Sequence, residues 1–143
     1  MDRRLVPFRH YHLGWIQSSG MALGGEAGLT ADTLAVLEKQ NSWTVVVDGT
    51  PVGCGGTMQQ WPGRHIAWAY LNEQTGPHML FITQAALKGL EGIEGRVELT
   101  VRHDFEKGHR WARLLGFSVE TPVLKQFGPL AEDHVGYVRI NKR

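Results

Sequence analysis

Residues 96–117 run Arg96-Val97-Glu98-Leu99-Thr100-Val101-Arg102-His103-Asp104-Phe105-Glu106-Lys107-Gly108-His109-Arg110-Trp111-Ala112-Arg113-Leu114-Leu115-Gly116-Phe117. The first six alternate, with Val97, Leu99 and Val101 pointing one way. That pattern predicts a strand with one buried face, and leaves Glu98 on the solvated one. From Phe105 to Leu115 the period becomes helical, with Phe105, Ala112 and Leu115 on a shared side. Gly116 ends the helix in the left-handed position that only glycine takes without strain.

Upstream, Met79 to Leu90 is apolar almost all round and predicts a largely buried helix. Gly76-Pro77 fits its start, with Pro77 at the first helical position, and Glu91 to Gly95 ends it. Ile66 to Leu71 is a strand with Ile66, Trp68 and Tyr70 on one face. The path from this strand through the helix to Arg96 is too long for a hairpin, so it predicts a right-handed parallel crossover. Trp43 to Val47 and Pro51 to Gln60 are strands joined by the turn signal Asp48-Gly49, and Trp61-Pro62-Gly63 is the next turn. Gly53, Gly55 and Gly56 imply a bulge or a close neighbour.

Towards the N-terminus, Leu5 to Phe8 reads as a strand and His10 to Gln17 as a weak helix. The glycine-rich Ser18 to Gly28 reads as a loop. Thr30 to Gln40 is a helix capped by Thr30 and stapled by Leu29, with Ala31, Leu34 and Leu37 on one face. Ser118 to Lys125 and His134 to Ile140 form a last pair of strands around a Gly128-Pro129 loop. The order is β-α-α-β-β-β-α-β-α-β-β. It predicts a single α+β domain over residues 1–143, with a mostly antiparallel mixed sheet and one central βαβ crossover.

Composition narrows the function. The 143 residues are 42% hydrophobic and 20% charged with net charge +1, which excludes wholesale disorder and a broad basic face for nucleic acid. The single cysteine, Cys54, excludes an internal disulfide and a cysteine-cluster zinc site. Between Gly53 and Gly55, without an adjacent base, it reads as a small buried residue rather than a nucleophile. His10 and His12 are two apart and have no third partner, so no metal site is expected. No apolar stretch is long enough to span a membrane. Met1-Asp2-Arg3-Arg4 does not lead into a signal peptide, so the expected place is cytoplasmic. Of the tryptophans, Trp43 and Trp68 read as core, and Trp61 as exposed.

The element order, with Trp111-Ala112-Arg113-Leu114-Leu115-Gly116-Phe117, resembles the GNAT fold of N-acetyltransferases. The run 96–101, Asp104-Phe105, Gly108-His109-Arg110-Trp111, the late Phe127-Gly128-Pro129 and Gly136-Tyr137-Val138-Arg139 are similar to a phage and prophage branch. That branch is related in layout to small internal virion proteins. The resemblance implies acetyl transfer from acetyl-CoA to an amine, in the cytoplasm of a host cell or in association with a virion. Its phosphate loop, basic and glycine-rich, corresponds here to Asn72-Glu73-Gln74-Thr75-Gly76-Pro77-His78, where only Gly76 survives. Leu71, Thr75, Gly76 and His78 are therefore the candidate coenzyme-binding residues, with His78 supplying positive charge when protonated. The tyrosine acid of the family falls on Ala112, which has no proton to give, and its upstream asparagine is missing too. His109 and His103 are the nearby imidazoles that could each stand in as acid or base, and His109 is the candidate catalytic residue. Glu73 is the candidate base. The acceptor is expected against the Gly20–Gly28 loop, and pairing of two copies through the last strands is a family habit.

Three readings are open at this point. An enzyme leaves a groove between the strands Ile66–Leu71 and Arg96–Val101, leading to Gly76. A phage accessory or virion protein that has kept the fold without the chemistry fills that groove with Trp68, Tyr70 or Trp111. A modifier or inhibitor docked on a host protein is a third reading.

Overall fold

The structure is a computed structural model. It describes residues 2–16, 21–23 and 30–142; the side chains of 21–23, Glu73 and Gln74 lie outside the description. Among the described residues, eight strands and three α-helices follow one another: β1 (Arg3–Pro7), β2 (Met21–Leu23), α1 (Ala31–Lys39), β3 (Ser42–Val47), β4 (Thr50–Trp61), β5 (Arg64–Leu71), α2 (Met79–Glu91), β6 (Gly95–Arg102), α3 (Glu106–Leu114), β7 (Ser118–Leu124) and β8 (His134–Asn141). Single 3-10 turns cover His10–Gly14 and Glu73–His78. The sheet runs β1-β3-β4-β5-β6-β8-β7, with β2 added on β5. Every pairing is antiparallel except β5 with β6, which are joined by the α2 crossover.

The hairpin between β3 and β4 turns on Asp48 and Gly49, both at positive φ (47° and 81°). That geometry matches the twist of the flanking strands. The register shifts between Val45, opposite Gly53, and Val46, opposite Pro51, so the extra residue of a bulge is Val52, next to Gly53 on β4 itself, while Gly55 and Gly56 serve close approach. A Cβ on Gly56 would collide with the Asn41 carbonyl oxygen.

Alternation along the strands builds two apolar layers. Val45, Val52, Ala67, Ala69, Leu71, Val97, Leu99 and Val101 pack with Ile82, Ala86 and Leu90 of α2 and with Trp111, Ala112 and Leu115 of α3. On the opposite face Cys54, Trp68 and Tyr70 pack with Phe8, Ile16 and Leu37. Thr30 caps α1 through the Thr33 N–H (3.2 Å), as its sequence predicts, whereas the staple residue Leu29 lies outside the described residues. Helix α2 buries one side only, and Leu80 is exposed. Strand β8 closes the C-terminal ends of α2 and α3. Asn141 Nδ2 donates to the Leu90 and Ile93 carbonyls. Arg139 donates to the Leu115 carbonyl at 2.7 Å, beside Gly116 at φ 87°. A cation and an amide there satisfy carbonyls that the helices leave unpaired.

Candidate active site

Strands β5 and β6 stay in register only from Arg64–Ile66 against Arg96–Glu98. Beyond Ile66 the two part. The backbone direction on β5 is set by the Asn72 N–H, which donates to the Val52 carbonyl across β4 (3.0 Å). Successive residues of a strand address opposite edges, so Tyr70 and Trp68 face β4, and Ala69 and Leu71 face the gap. That edge is taken by β2, with Met21 opposite Leu71, Ala22 opposite Tyr70 and Leu23 opposite Ala69. Strand β2 also lies against β6 and α3. The sequence reading of 18–28 as loop is thus corrected: three of its residues form a strand, and Gly20, Gly24, Gly25 and Gly28 lie outside the described residues. The three aromatic side chains expected to decide the matter are elsewhere. Trp68 and Tyr70 turn to the α1 face, and Trp111 stands between α3 and α2.

The gap leads to the 3-10 turn Glu73–His78. Helix α2 begins at Met79 with His78 as its N-cap residue, so Pro77 sits inside the preceding turn rather than at the first helical position. Proline lacks the N–H that a helical ladder would need, and its tight φ suits the 3-10 turn. Leu71 is buried at the end of β5, and Thr75 is buried with its hydroxyl donating to the Asn72 carbonyl (2.9 Å). Gly76 is exposed, with open space where a side chain would stand. The buried His78 accepts at Nδ1 from the Arg3 Nε–H at 3.0 Å. A nitrogen that accepts carries no proton of its own, so the fixed positive charge at this helix start is the guanidinium of Arg3. Sequence reasoning missed it because Arg3 is 75 residues from His78, and only the fold joins them. Glu73 occupies the first position of the turn, and its side chain lies outside the description.

On α3, His109 is buried with both ring nitrogens engaged. Nε2 lies 2.9 Å from the His103 carbonyl oxygen, so it is the protonated nitrogen. Nδ1 then accepts from the Tyr137 hydroxyl at 2.7 Å. Burial raises the Tyr137 pKa, which keeps that hydroxyl a donor. Trp111 Nε1 donates to Thr83 Oγ1 at 2.9 Å, tying α3 to α2. Ala112 is fully buried. Cys54 is also buried, and desolvation pushes its thiol up to about 12, which removes it as a nucleophile at neutral pH. Among the described residues no group of His, Cys, Asp and Glu could hold a metal ion, and no helix is long and apolar enough to cross a membrane.

On the sheet face away from α2 and α3, a groove of about 370 Å³ crosses β5, β6 and β8 between Ile66, Glu98 and Thr100 on one side and Thr121, Leu124 and Phe127 on the other. Glu98, read from sequence as a solvated carboxylate, accepts from Arg64 through both oxygens (2.9 and 2.6 Å) and from Arg96. Hydrogen bonds from Arg64, with those from Arg96, hold its pKa near 2. Arg96 is also bound by Glu120, and Arg64 stacks over the exposed Trp61 ring at 4.7 Å. Glu98 is therefore an ion-pair residue that does not take up protons near neutral pH.

No protein-family model matches the chain, and no curated protein matches it by sequence. Solved structures do. Ard1 from Thermoplasma volcanium superposes with a TM-score of 0.75 at 14% identity, over 100% of both chains. The ribosomal-protein-S18-alanine N-acetyltransferase of Escherichia coli gives 0.72 at 14% identity, over 99% of this chain and 96% of that one. RimL, a ribosomal L7/L12 α-N-protein acetyltransferase in complex with coenzyme A, gives 0.54 at 20% identity, over 70% of this chain and 61% of that one. The fold is that of the GNAT acetyltransferases.

Proposed function

We propose that this chain is an N-acetyltransferase of the GNAT type that takes its acetyl group from acetyl-CoA and passes it to an amine. The parting of β5 from β6 above the start of α2 carries this reading. Backbone N–H groups of β5 face into that gap and suit the amides and thioester carbonyl of an extended ligand. Leu71, Thr75, Gly76 and His78 would hold the far end of the coenzyme, and Arg3, fixed on His78, would supply the charge that its phosphates need. Acetyl-CoA, when bound, supplies the acetyl group as a thioester. The amine would enter from the groove over Ile66 and Thr100. For the base that relieves it of a proton we propose Glu73, and for His109 a positioning role through its two fixed hydrogen bonds.

A second reading has its own support. Ala112 offers no acid where the fold's enzymes place one, and β2 sits on the edge that the coenzyme needs. A phage accessory or internal virion protein that retains the fold would show both features. A surface for a host protein is the third.

Calorimetric titration with acetyl-CoA separates these. Micromolar binding is expected for the enzyme. Gly76→Glu has room for its side chain and should leave the fold intact, while placing a negative charge at the helix start. It is expected to weaken acetyl-CoA at least about tenfold. No heat at millimolar ligand would overturn the enzyme reading.

A further inference from the structure

The edge of β5 that faces the gap has one backbone partner at a time. At Arg64–Ile66 that partner is β6, and at Ala69–Leu71 it is β2. By the alternation fixed at Asn72, Ala69 and Leu71 turn their N–H and C=O groups to β2, so Met21 and Leu23 exchange hydrogen bonds with them. An extended ligand that pairs with the same edge needs those same groups, and a backbone group buried without a partner is costly. The two occupants are therefore mutually exclusive. Met21–Leu23 is also a weak occupant. It is three residues long, at the short limit of the usual strand.

We propose that Met21–Leu23 is a built-in competitor of the acetyl donor: it closes the β5 edge at Ala69–Leu71 in the free protein and leaves that edge when the donor binds. The proposal rests on the acetyl-CoA reading above. The free chain is then a latent form. Its apparent affinity is reduced by the fraction of molecules in which β2 is already released. Whatever draws β2 away, an acceptor seated on this segment included, raises affinity for the donor by the same factor that the donor raises affinity for it.

The test uses the full chain and acetyl-CoA as the probe. Leu23→Pro removes the N–H that Leu23 gives to Ala69, and Pro disfavours the paired strand. It is expected to bind acetyl-CoA at least about fivefold more tightly than the wild type, with an unchanged stoichiometry. A second variant works in the other direction and does not depend on the first one folding. Leu23→Cys with Ala69→Cys places two thiols on directly opposed residues, within the Cα separation that a disulfide spans. Cys54, buried with a raised thiol pKa, stays out of the exchange. Oxidised, this variant should lose acetyl-CoA binding by about tenfold or more, and reduction should restore it. Equal binding by the wild type, Leu23→Pro and the oxidised variant would overturn the competitor and leave the acetyltransferase reading standing. No binding by any of them, reduced or oxidised, would overturn that reading and the competitor with it.

Discussion

Trp111→Ala is expected to destabilise the chain by about 3–5 kcal/mol, the range for removing a buried tryptophan. The side chain is 3% exposed and lies where α3 meets α2 over the sheet. It borders an existing cavity of about 30 Å³ shared with Ala69, Ala86, Leu99 and Leu115, so truncation enlarges a void that its neighbours already fail to fill. The indole also carries the hydrogen bond to Thr83. The two contributions can be separated. Trp111→Phe keeps most of the bulk and leaves Thr83 able to turn elsewhere, so it should cost much less than the alanine. Thr83→Val leaves a buried indole N–H without an acceptor, which costs about 1–3 kcal/mol. Urea denaturation of the three variants checks the order. A loss below about 1 kcal/mol for Trp111→Ala would mean that α3 is not held through this residue. The result matters for function because α2 and α3 wall the space into which the β5–β6 gap opens, and a loosened α3 widens it.

Much of this was legible in the order of residues. The run 96–117 contains a period of two, then a helical period, then Gly116, and the structure has β6, α3 and a left-handed stop at those places. The crossover followed from chain length alone, because the stretch between Leu71 and Gly95 is far longer than a hairpin and holds a helix. What sequence could not give were the features made by distant residues. Arg3 reaches His78, Arg139 reaches Leu115, and Tyr137 reaches His109, and no local pattern announces any of them. Glu98 read as a solvated carboxylate because alternation puts it on the open face. That face is open, but Arg64 from the neighbouring strand lies there too. Strand β2 was hidden for a different reason. Met-Ala-Leu among glycines has little strand propensity, and its pairing comes from an edge that β6 vacates. The start of α2 was misread by two residues because Pro77 favours a tight turn as well as a first helical turn.

Acid should destabilise the chain through Glu98, whose carboxylate stays charged until low pH. Its carboxylate has a pKa near 2 in the folded chain against an ordinary 4.5. A group whose pKa falls on folding adds stability that is complete above the unfolded value and is lost as pH drops through the folded one. The window is therefore from about 4.5 down to about 2. The full linkage is worth about 3 kcal/mol. Arg64 and Arg96 are 31% and 34% exposed, so solvent screening trims it to roughly 1–2 kcal/mol. Glu98→Gln should lower stability at pH 7 by that amount and flatten the decline between pH 4.5 and 2, because nothing at position 98 is then left to titrate. Melting temperatures of the wild type and Glu98→Gln across that range check it. Parallel curves would show that the network of Arg64, Glu98, Arg96 and Glu120 is ordered but contributes no net stability, as many exposed ion pairs do. Converging curves would make Glu98 the clamp that keeps β5 and β6 together at Arg64–Ile66. The strands part just beyond that clamp, so the same carboxylate would fix where the gap begins.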